Sequence, residues 1–210
     1  MPQEKISFYS HFIGALAGLA GTVHLLTVAY PSVLKMVLAG IYGLTMVLLF
    51  SASSLYHAFK EDENSDTFWR KLDHTAIFFM IAGTYTPVSY VYLTGYWRWS
   101  IIFLQWFLVL LGFFFKFFYI KAPRYLSTVI YLIMGWIGLI SIKGFLTTMP
   151  GPALFYLLAG GVSFTIGAVF YALKKPKLLP GFGFHEIFHL FILLGTVFHY
   201  LLVYMAITSN

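Results

Sequence analysis

The sequence has no cysteine and few charged side chains. Cysteine is absent from all 210 residues, which excludes disulfide bonds and thiolate metal ligands, so any metal would need histidine, carboxylate, hydroxyl or water as ligand. Charged residues make up 10% of the chain, against about 25% in soluble globular proteins. A chain with so little charge cannot cover its surface with polar groups, and we therefore exclude a soluble globular domain.

What the sequence does have is apolar length, since 60% of its residues are hydrophobic and 20% are aromatic. A helix needs about 20 apolar residues to cross the hydrocarbon core of a bilayer. The apolar runs predict an all-α polytopic membrane protein with seven transmembrane helices in a single domain over residues 1–210. The predicted spans are 11–30, 34–57, 74–93, 99–120, 125–143, 153–173 and 184–207. Most of the connecting loops are short, and residues 60–73 form the one strongly charged loop.

The distribution of lysine and arginine predicts the orientation of these spans, because cytoplasmic loops carry an excess of both. On alternate sides of seven spans the counts are ten and three. The first side has Lys5, Lys60, Arg70, Lys71, Lys116, Lys121, Arg124, Lys174, Lys175 and Lys177, and the second has Lys35, Arg98 and Lys143. We therefore expect a cytoplasmic N-terminus and an external C-terminus. The net charge of +6 then indicates topology and contact with anionic membrane lipids, with no nucleic-acid partner.

Several ionisable residues are predicted to lie at one depth, near the cytoplasmic face. His57 ends the second span, Asp73 precedes the third, and His185 and His189 begin the seventh. An ionisable side chain in a membrane span is costly and often marks a functional site inside the bundle. Three segments distant in sequence therefore bring polar groups to one level.

The spacing of these residues suits a metal site. Ser53 and His57 are four positions apart, as are His185 and His189. The two residues of each pair therefore lie on the same face of a helix, about 6 Å apart along its axis. Three imidazoles with an open fourth position form the ligand set of a catalytic zinc. Asp73 would hold the metal-bound water, and Ser53 would orient Asp73 or His57. The alternative is that each histidine is an interfacial or helix-packing hydrogen-bonding group.

Residues His185 to His189 also match the H-E-x-x-H pattern, in which two histidines bind zinc and the glutamate is a general base. A third ligand at the spacing of the known zinc proteases does not follow Glu186. It must come from another span, for which His57 is the best candidate. His11 lies at the same predicted depth but is not predicted as a ligand.

The most distinctive segments of the chain are 10–14, 53–57, 72–78 with 81–87, and 185–189, the last followed by Gly195, His199 and Tyr200. Together they resemble the hemolysin III branch of the progestin and adipoQ receptor family, within the superfamily that includes alkaline ceramidases. The resemblance covers nearly the whole chain. It implies a seven-helix protein of a bacterial inner or cell membrane, with zinc on the histidines at 57, 185 and 189. It also implies that the residue at Asp73 contacts the zinc through water and that Ser53 lies beside it.

Two functions of different classes stay open at this stage. In one, the zinc site hydrolyses an acyl amide or ester bond of a membrane lipid held between the helices. In the other, the zinc is structural and the protein senses or adjusts the state of the membrane. A pore-forming hemolysin and an intramembrane protease are less favoured, because neither a long amphipathic segment nor the aspartate motif of such proteases is evident. The oligomeric state cannot be predicted.

Overall fold

The computed structural model describes residues 4–60, 66–179 and 182–209. These residues form a helical bundle with one short antiparallel strand pair. The elements in chain order are α1 (Lys5–Ala29), α2 (Val33–Phe59), α3 (Phe68–Tyr92), α4 (Gly95–Phe118), α5 (Arg124–Trp136), a 3-10 segment (Ile137–Ser141), α6 (Ile142–Thr148), α7 (Gly151–Leu173), β1 (Lys177–Leu179), β2 (Phe182–Gly183) and α8 (Phe184–Thr208).

Six helical segments among the described residues are long and apolar enough to cross a membrane. They are Lys5–Ala29, Val33–Phe59, Gly95–Phe118, Arg124–Thr148, Gly151–Leu173 and Phe184–Thr208. The predicted all-α polytopic architecture is thereby confirmed, and the chain is a multi-pass protein of the cell membrane. The predicted third span corresponds to α3, which is absent from this set. The stretch of α3 that follows its charged first turns still contains Thr84, Thr86, Pro87 and Ser89, which lower its hydropathy, so the count of seven spans stays a prediction.

The predicted span 125–143 is interrupted in the structure. Helix α5 ends at Trp136, the chain continues as a 3-10 turn, and α6 then completes the segment. The hydroxyl of Tyr85 in α3 lies at this interruption, donating to the carbonyl of Gly135 at 2.7 Å and accepting from the N–H of Gly138 at 2.8 Å. A side chain that inserts into the backbone hydrogen bonds of a helix is a known cause of such a break.

Two connections also differ from the sequence-based expectation. Residues 68–73 of the charged loop predicted over 60–73 are helical, because α3 begins at Phe68 with the Thr67 side chain accepting from the N–H of Arg70 at 3.3 Å. Residues 61–65 of that loop lie outside the described residues. The strand pair β1–β2, which the sequence did not predict, precedes α8 and pairs Lys177 with Gly183.

Helix α8 occupies the centre of the bundle, where it contacts α1, α2, α3 and α7. The core between these helices contains Leu25, Tyr42, Ala76 and Leu202, all with 0% exposure. Where α7 packs against α8, a Cβ at Gly160 of α7 would collide with the ring of His199. Glycine is therefore needed for α7 to approach α8 this closely. This central position gives α8 contact with every helix that carries a predicted site residue.

Candidate metal centre

The three histidines predicted as metal ligands lie together at one end of the bundle. His57 comes from the last turn of α2, and His185 and His189 come from the first two turns of α8. One ring nitrogen of each lies within 4.8 Å of the other two, and the Nε2 atoms of His57 and His185 are 3.4 Å apart. Zinc–imidazole bonds of about 2.0–2.1 Å in a tetrahedral site separate two ligand nitrogens by about 3.3 Å. The separation of His57 and His185 fits that geometry.

The start of α8 is fixed by the glutamate of the H-E-x-x-H sequence. Glu186 Oε2 accepts a hydrogen bond from the N–H of Gly183 at 2.8 Å, and its Oε1 accepts one from the Ser7 hydroxyl at 3.2 Å. A glutamate at the third position of a helix commonly satisfies the N–H before the helix in this way. The Glu186 carboxylate therefore caps α8 and binds α1. A cavity extends from the three histidines into the bundle, and Glu186 is not among the residues that line it.

His57 has an acidic partner that the sequence did not predict. Its Nδ1–H donates to Glu4 Oε2 at 2.6 Å, and Lys60 Nζ donates to Glu4 Oε1 at 2.5 Å. Burial alone would raise the pKa of the Glu4 carboxyl, but the hydrogen bonds from His57 and Lys60 lower that pKa to about 2. Glu4 is the one acidic residue among the first 60. The sequence offered one signal for the role of Glu4, namely its position just before the first predicted span, at the predicted depth of His57.

The two residues predicted to act with the metal face each other beside the histidines. The Ser53 hydroxyl interacts with the Asp73 carboxylate, and both residues line the cavity that His57 also lines. The histidine group with nitrogen atoms within 4.8 Å of one another includes no Asp73 oxygen. Asp73 therefore lies beside the three histidines, but neither of its carboxylate oxygens belongs to the group of possible metal ligands.

Two further histidines lie near the three. His11 of α1 is buried and stacks on His189, with ring centroids 3.8 Å apart and 19° between the ring planes. His11 therefore contacts the ring face of His189, a predicted ligand, and does not belong to the group of three histidines. His74 lines the same cavity, and its backbone carbonyl accepts a hydrogen bond from the Tyr131 hydroxyl at 2.9 Å.

A cavity of about 180 Å³ extends from the histidine group into the bundle. It is lined by residues of α1, α2, α3, α5, α7 and α8. Its walls include His189 and His199, which are ten positions apart on α8 and so about 15 Å apart along the helix axis. A second cavity of about 50 Å³ adjoins it, sharing Tyr85, Trp136 and Gly161 as wall residues. The wall of the larger cavity is mainly apolar, and it also includes polar side chains such as Thr84, Thr165 and His199.

The chain matches a family of known proteins over nearly its whole length. The family model described as "Haemolysin-III related" matches residues 1–200. The chain is 34% identical over 196 residues to the "Hemolysin-3 homolog" of Bacillus subtilis (strain 168), covering 92% of this chain and 89% of that protein. It is 34% identical over 212 aligned positions to "Hemolysin-3" of Bacillus cereus, covering 99% and 94%. The human "Monocyte to macrophage differentiation factor" is 26% identical over 170 residues, covering 77% and 67%. The chain therefore belongs to the haemolysin-III related family of membrane proteins.

Proposed function

We propose that this protein is a zinc-dependent hydrolase that cleaves an acyl amide or ester bond of a membrane lipid. The observation that carries the proposal is the group formed by His57, His185 and His189, placed at the end of a cavity that also contains Asp73. Three nitrogen ligands beside a carboxylate, at the mouth of a mainly apolar pocket, combine a metal site with a place for a hydrocarbon chain.

The donor set fits zinc. The three donors are imidazole nitrogens from α2 and α8, and imidazole is a preferred zinc ligand. Three protein ligands leave one coordination position open, as in catalytic zinc sites. Zinc bound in this way lowers the pKa of water and polarises a carbonyl group. Calcium and magnesium prefer oxygen ligands, which the histidine group does not supply.

The residues beside the histidines supply the proton transfer. Asp73 takes the proton from the attacking water and then delivers it to the leaving amine or alcohol, because its carboxylate is the acidic group among the described residues that line the cavity. Ser53 holds the Asp73 carboxylate in place through their contact. The acyl chain of the lipid lies in the same cavity, whose wall is mainly apolar, and extends towards His199.

We also propose seven spans with the N-terminus in the cytoplasm and the C-terminus outside. Helix α3 has 25 residues, which is about 37 Å at 1.5 Å per residue and enough to cross a bilayer. Arg70 of α3 is buried and lines the cavity, so this charge faces protein rather than lipid. With α3 as a span, the cationic residues gather on the side of the histidine group, which then lies at the cytoplasmic face.

A second candidate function is a membrane sensor or regulator in which the zinc is structural. The histidine group joins α2 to α8, and a metal there would link these two helices independently of any reaction. Such a protein would bind zinc and change stability with it, without cleaving a lipid.

The test measures metal content and lipid cleavage on the same purified samples. Wild type, His57→Ala, Asp73→Ala and His24→Ala are analysed by mass spectrometry for zinc and then incubated with N-acyl and O-acyl lipids. His24 is the matched control, because it hydrogen-bonds Tyr200 at 2.7 Å and does not line either cavity. We expect about one zinc per wild-type chain, loss of zinc in His57→Ala, and retained zinc without fatty-acid release in Asp73→Ala.

Each other outcome has a defined meaning. A wild type without zinc contradicts the metal site itself. Zinc that is bound by wild type and lost in His57→Ala, without cleavage of any lipid, favours the structural zinc of the second candidate. Cleavage of N-acyl but not O-acyl lipids identifies the bond as an amide, and the reverse identifies an ester.

A further inference from the structure

We infer that Glu4 is a positioning residue of the metal centre, which orients His57 and is itself held by Lys60. The inference rests on the proposed metal binding and extends the site to the segment before α1. Glu4 lies 53 positions before His57 in the sequence, yet its carboxylate contacts the imidazole directly at 2.6 Å. The contact joins the N-terminal segment to the end of α2.

The two nitrogen atoms of the His57 ring face different groups. Nδ1 faces the Glu4 carboxylate at 2.6 Å, and Nε2 faces the Nε2 atom of His185 at 3.4 Å. A neutral imidazole that carries its proton on one nitrogen has its lone pair on the other. Glu4 therefore selects the tautomer with the proton on Nδ1 and leaves the Nε2 lone pair directed at the histidine group. Carboxylates that accept from a metal-binding histidine in this way orient the ring and raise its basicity.

The position of Glu4 is fixed by more than this single hydrogen bond. Lys60, three residues after His57, donates to the second Glu4 oxygen at 2.5 Å. The side chains of His57 and Lys60 are 1% and 8% exposed, and that of Glu4 is 29% exposed, so both hydrogen bonds are partly shielded from water. The carbonyl of Phe8 also accepts from the Ser54 hydroxyl at 3.1 Å, which holds the first turn of α1 against α2. Each carboxylate oxygen of Glu4 thus has one partner from α2 or the residue that follows it.

Glu4 is not a further ligand of the metal. The histidine group with nitrogen atoms within 4.8 Å of one another contains no Glu4 oxygen, and Glu4 and His185 face different nitrogen atoms of the His57 ring. A change at Glu4 should therefore weaken metal binding without removing a ligand. Loss of such a partner typically weakens metal affinity about 10–100-fold.

The experiment compares zinc affinity in full-length, detergent-purified variants by competition with a fluorescent chelator. We expect Glu4→Ala to bind zinc about 10–100-fold more weakly than wild type. Glu4→Gln keeps an oxygen that accepts from Nδ1, so we expect its zinc affinity to lie between those of Glu4→Ala and wild type. Asp66→Asn is the matched control, because it removes an exposed carboxylate paired with Lys71 at 2.7 Å and should leave zinc affinity unchanged.

The comparison of Glu4→Gln with Glu4→Ala separates positioning from a general effect of negative charge, because both variants remove the charge and only Glu4→Gln keeps an acceptor for Nδ1. If Glu4 acts by accepting the hydrogen bond from His57, Glu4→Gln should bind zinc more tightly than Glu4→Ala. Equal losses in the two variants would overturn the inference, and so would wild-type affinity in Glu4→Ala. Thermal unfolding of the zinc-free variants shows whether each is folded, and affinities are compared only among those that are. If Glu4→Ala does not fold, the decision rests on Glu4→Gln, which must then be weaker than wild type.

The outcome for Glu4 is separate from the outcome for the proposed hydrolase. Zinc binding that weakens in Glu4→Ala, in a protein that cleaves no lipid, supports the role of Glu4 and contradicts the hydrolase. Lipid cleavage with unchanged zinc affinity in Glu4→Ala contradicts the role of Glu4 and leaves the hydrolase in place. A wild type that binds no zinc contradicts both.

Discussion

The hydroxyl of Ser7 donates a hydrogen bond to the carboxylate of Glu186 at 3.2 Å, although the two residues are 179 positions apart. The other Glu186 oxygen accepts from the N–H of Gly183. Both oxygens of the glutamate in the H-E-x-x-H sequence are therefore engaged in joining α1 to α8 and in capping α8. This geometry is unlike a general base that faces the substrate, for which a free oxygen would have to reach the reacting water.

We therefore predict different results for substitutions of Glu186 and Asp73. Glu186→Gln retains an oxygen for the Gly183 N–H and should keep lipid cleavage within a few-fold of wild type. Asp73→Asn removes the proton acceptor and should lower kcat about 10²–10⁴-fold. Fatty-acid release by both variants at equal zinc content is the measurement. Loss of activity in Glu186→Gln with activity retained in Asp73→Asn would reverse the two assignments.

The convergence of the three histidines could be predicted because it depends on two regular features. His185 and His189 share a helical face through their spacing, and the distribution of lysine and arginine placed the end of α2 at the same depth. Neither argument needs side-chain detail. The structure brings these three residues together within 4.8 Å.

The features that the sequence did not predict depend on contacts between distant segments. Glu4 was missed because it lies in a short polar segment whose position relative to α2 no local pattern specifies. The break after Trp136 was missed because its cause, the Tyr85 hydroxyl, belongs to α3. Apolar periodicity alone predicts a continuous span there, since Ile137, Leu139 and Ile140 are as apolar as the helix that precedes them.

The Tyr85 contact gives a prediction about stability. Tyr85→Phe removes the partner of the Gly135 carbonyl and of the Gly138 N–H, and we expect the free energy of unfolding to fall by about 1–3 kcal/mol. Zinc content should not change, because the break lies away from the histidine group. Tyr125→Phe is the matched control, since the Tyr125 side chain is 65% exposed. Equal stability of the two variants in a denaturant titration would show that the hydroxyl does not stabilise the break.

Removal of the metal should lower the melting temperature of the wild type. A ligand that binds only the folded state stabilises it by about 2.7 kcal/mol at a free concentration 100 times its dissociation constant. We expect a chelator to lower Tm in wild type and to have no effect on His189→Ala, which lacks one of the three ligands. The comparison is made by thermal unfolding in detergent, with His24→Ala expected to respond as wild type does. A chelator effect of equal size in His189→Ala would place the metal elsewhere.

The far end of the cavity should select the length of the acyl chain. Gly161 of α7 lines both cavities, and a Cβ there would have ordinary contacts with Trp136 at 3.4 Å. We predict that Gly161→Leu fills this end and slows cleavage of long-chain lipids, while short-chain lipids and zinc content are unaffected. The chain offers a control in Gly40→Leu, because a Cβ at Gly40 meets nothing within 4 Å and Gly40 lines neither cavity.

Relative rates for a series of acyl chains distinguish this prediction from simple damage to the fold. A filled cavity lowers kcat/KM more for each added methylene once the chain reaches the new side chain, because every methylene kept out of the cavity forfeits about 0.8 kcal/mol of burial. A destabilised protein loses activity by the same factor for all lengths. A uniform loss in Gly161→Leu, or unchanged selectivity, would mean that the acyl chain does not extend between α5 and α7 towards His199.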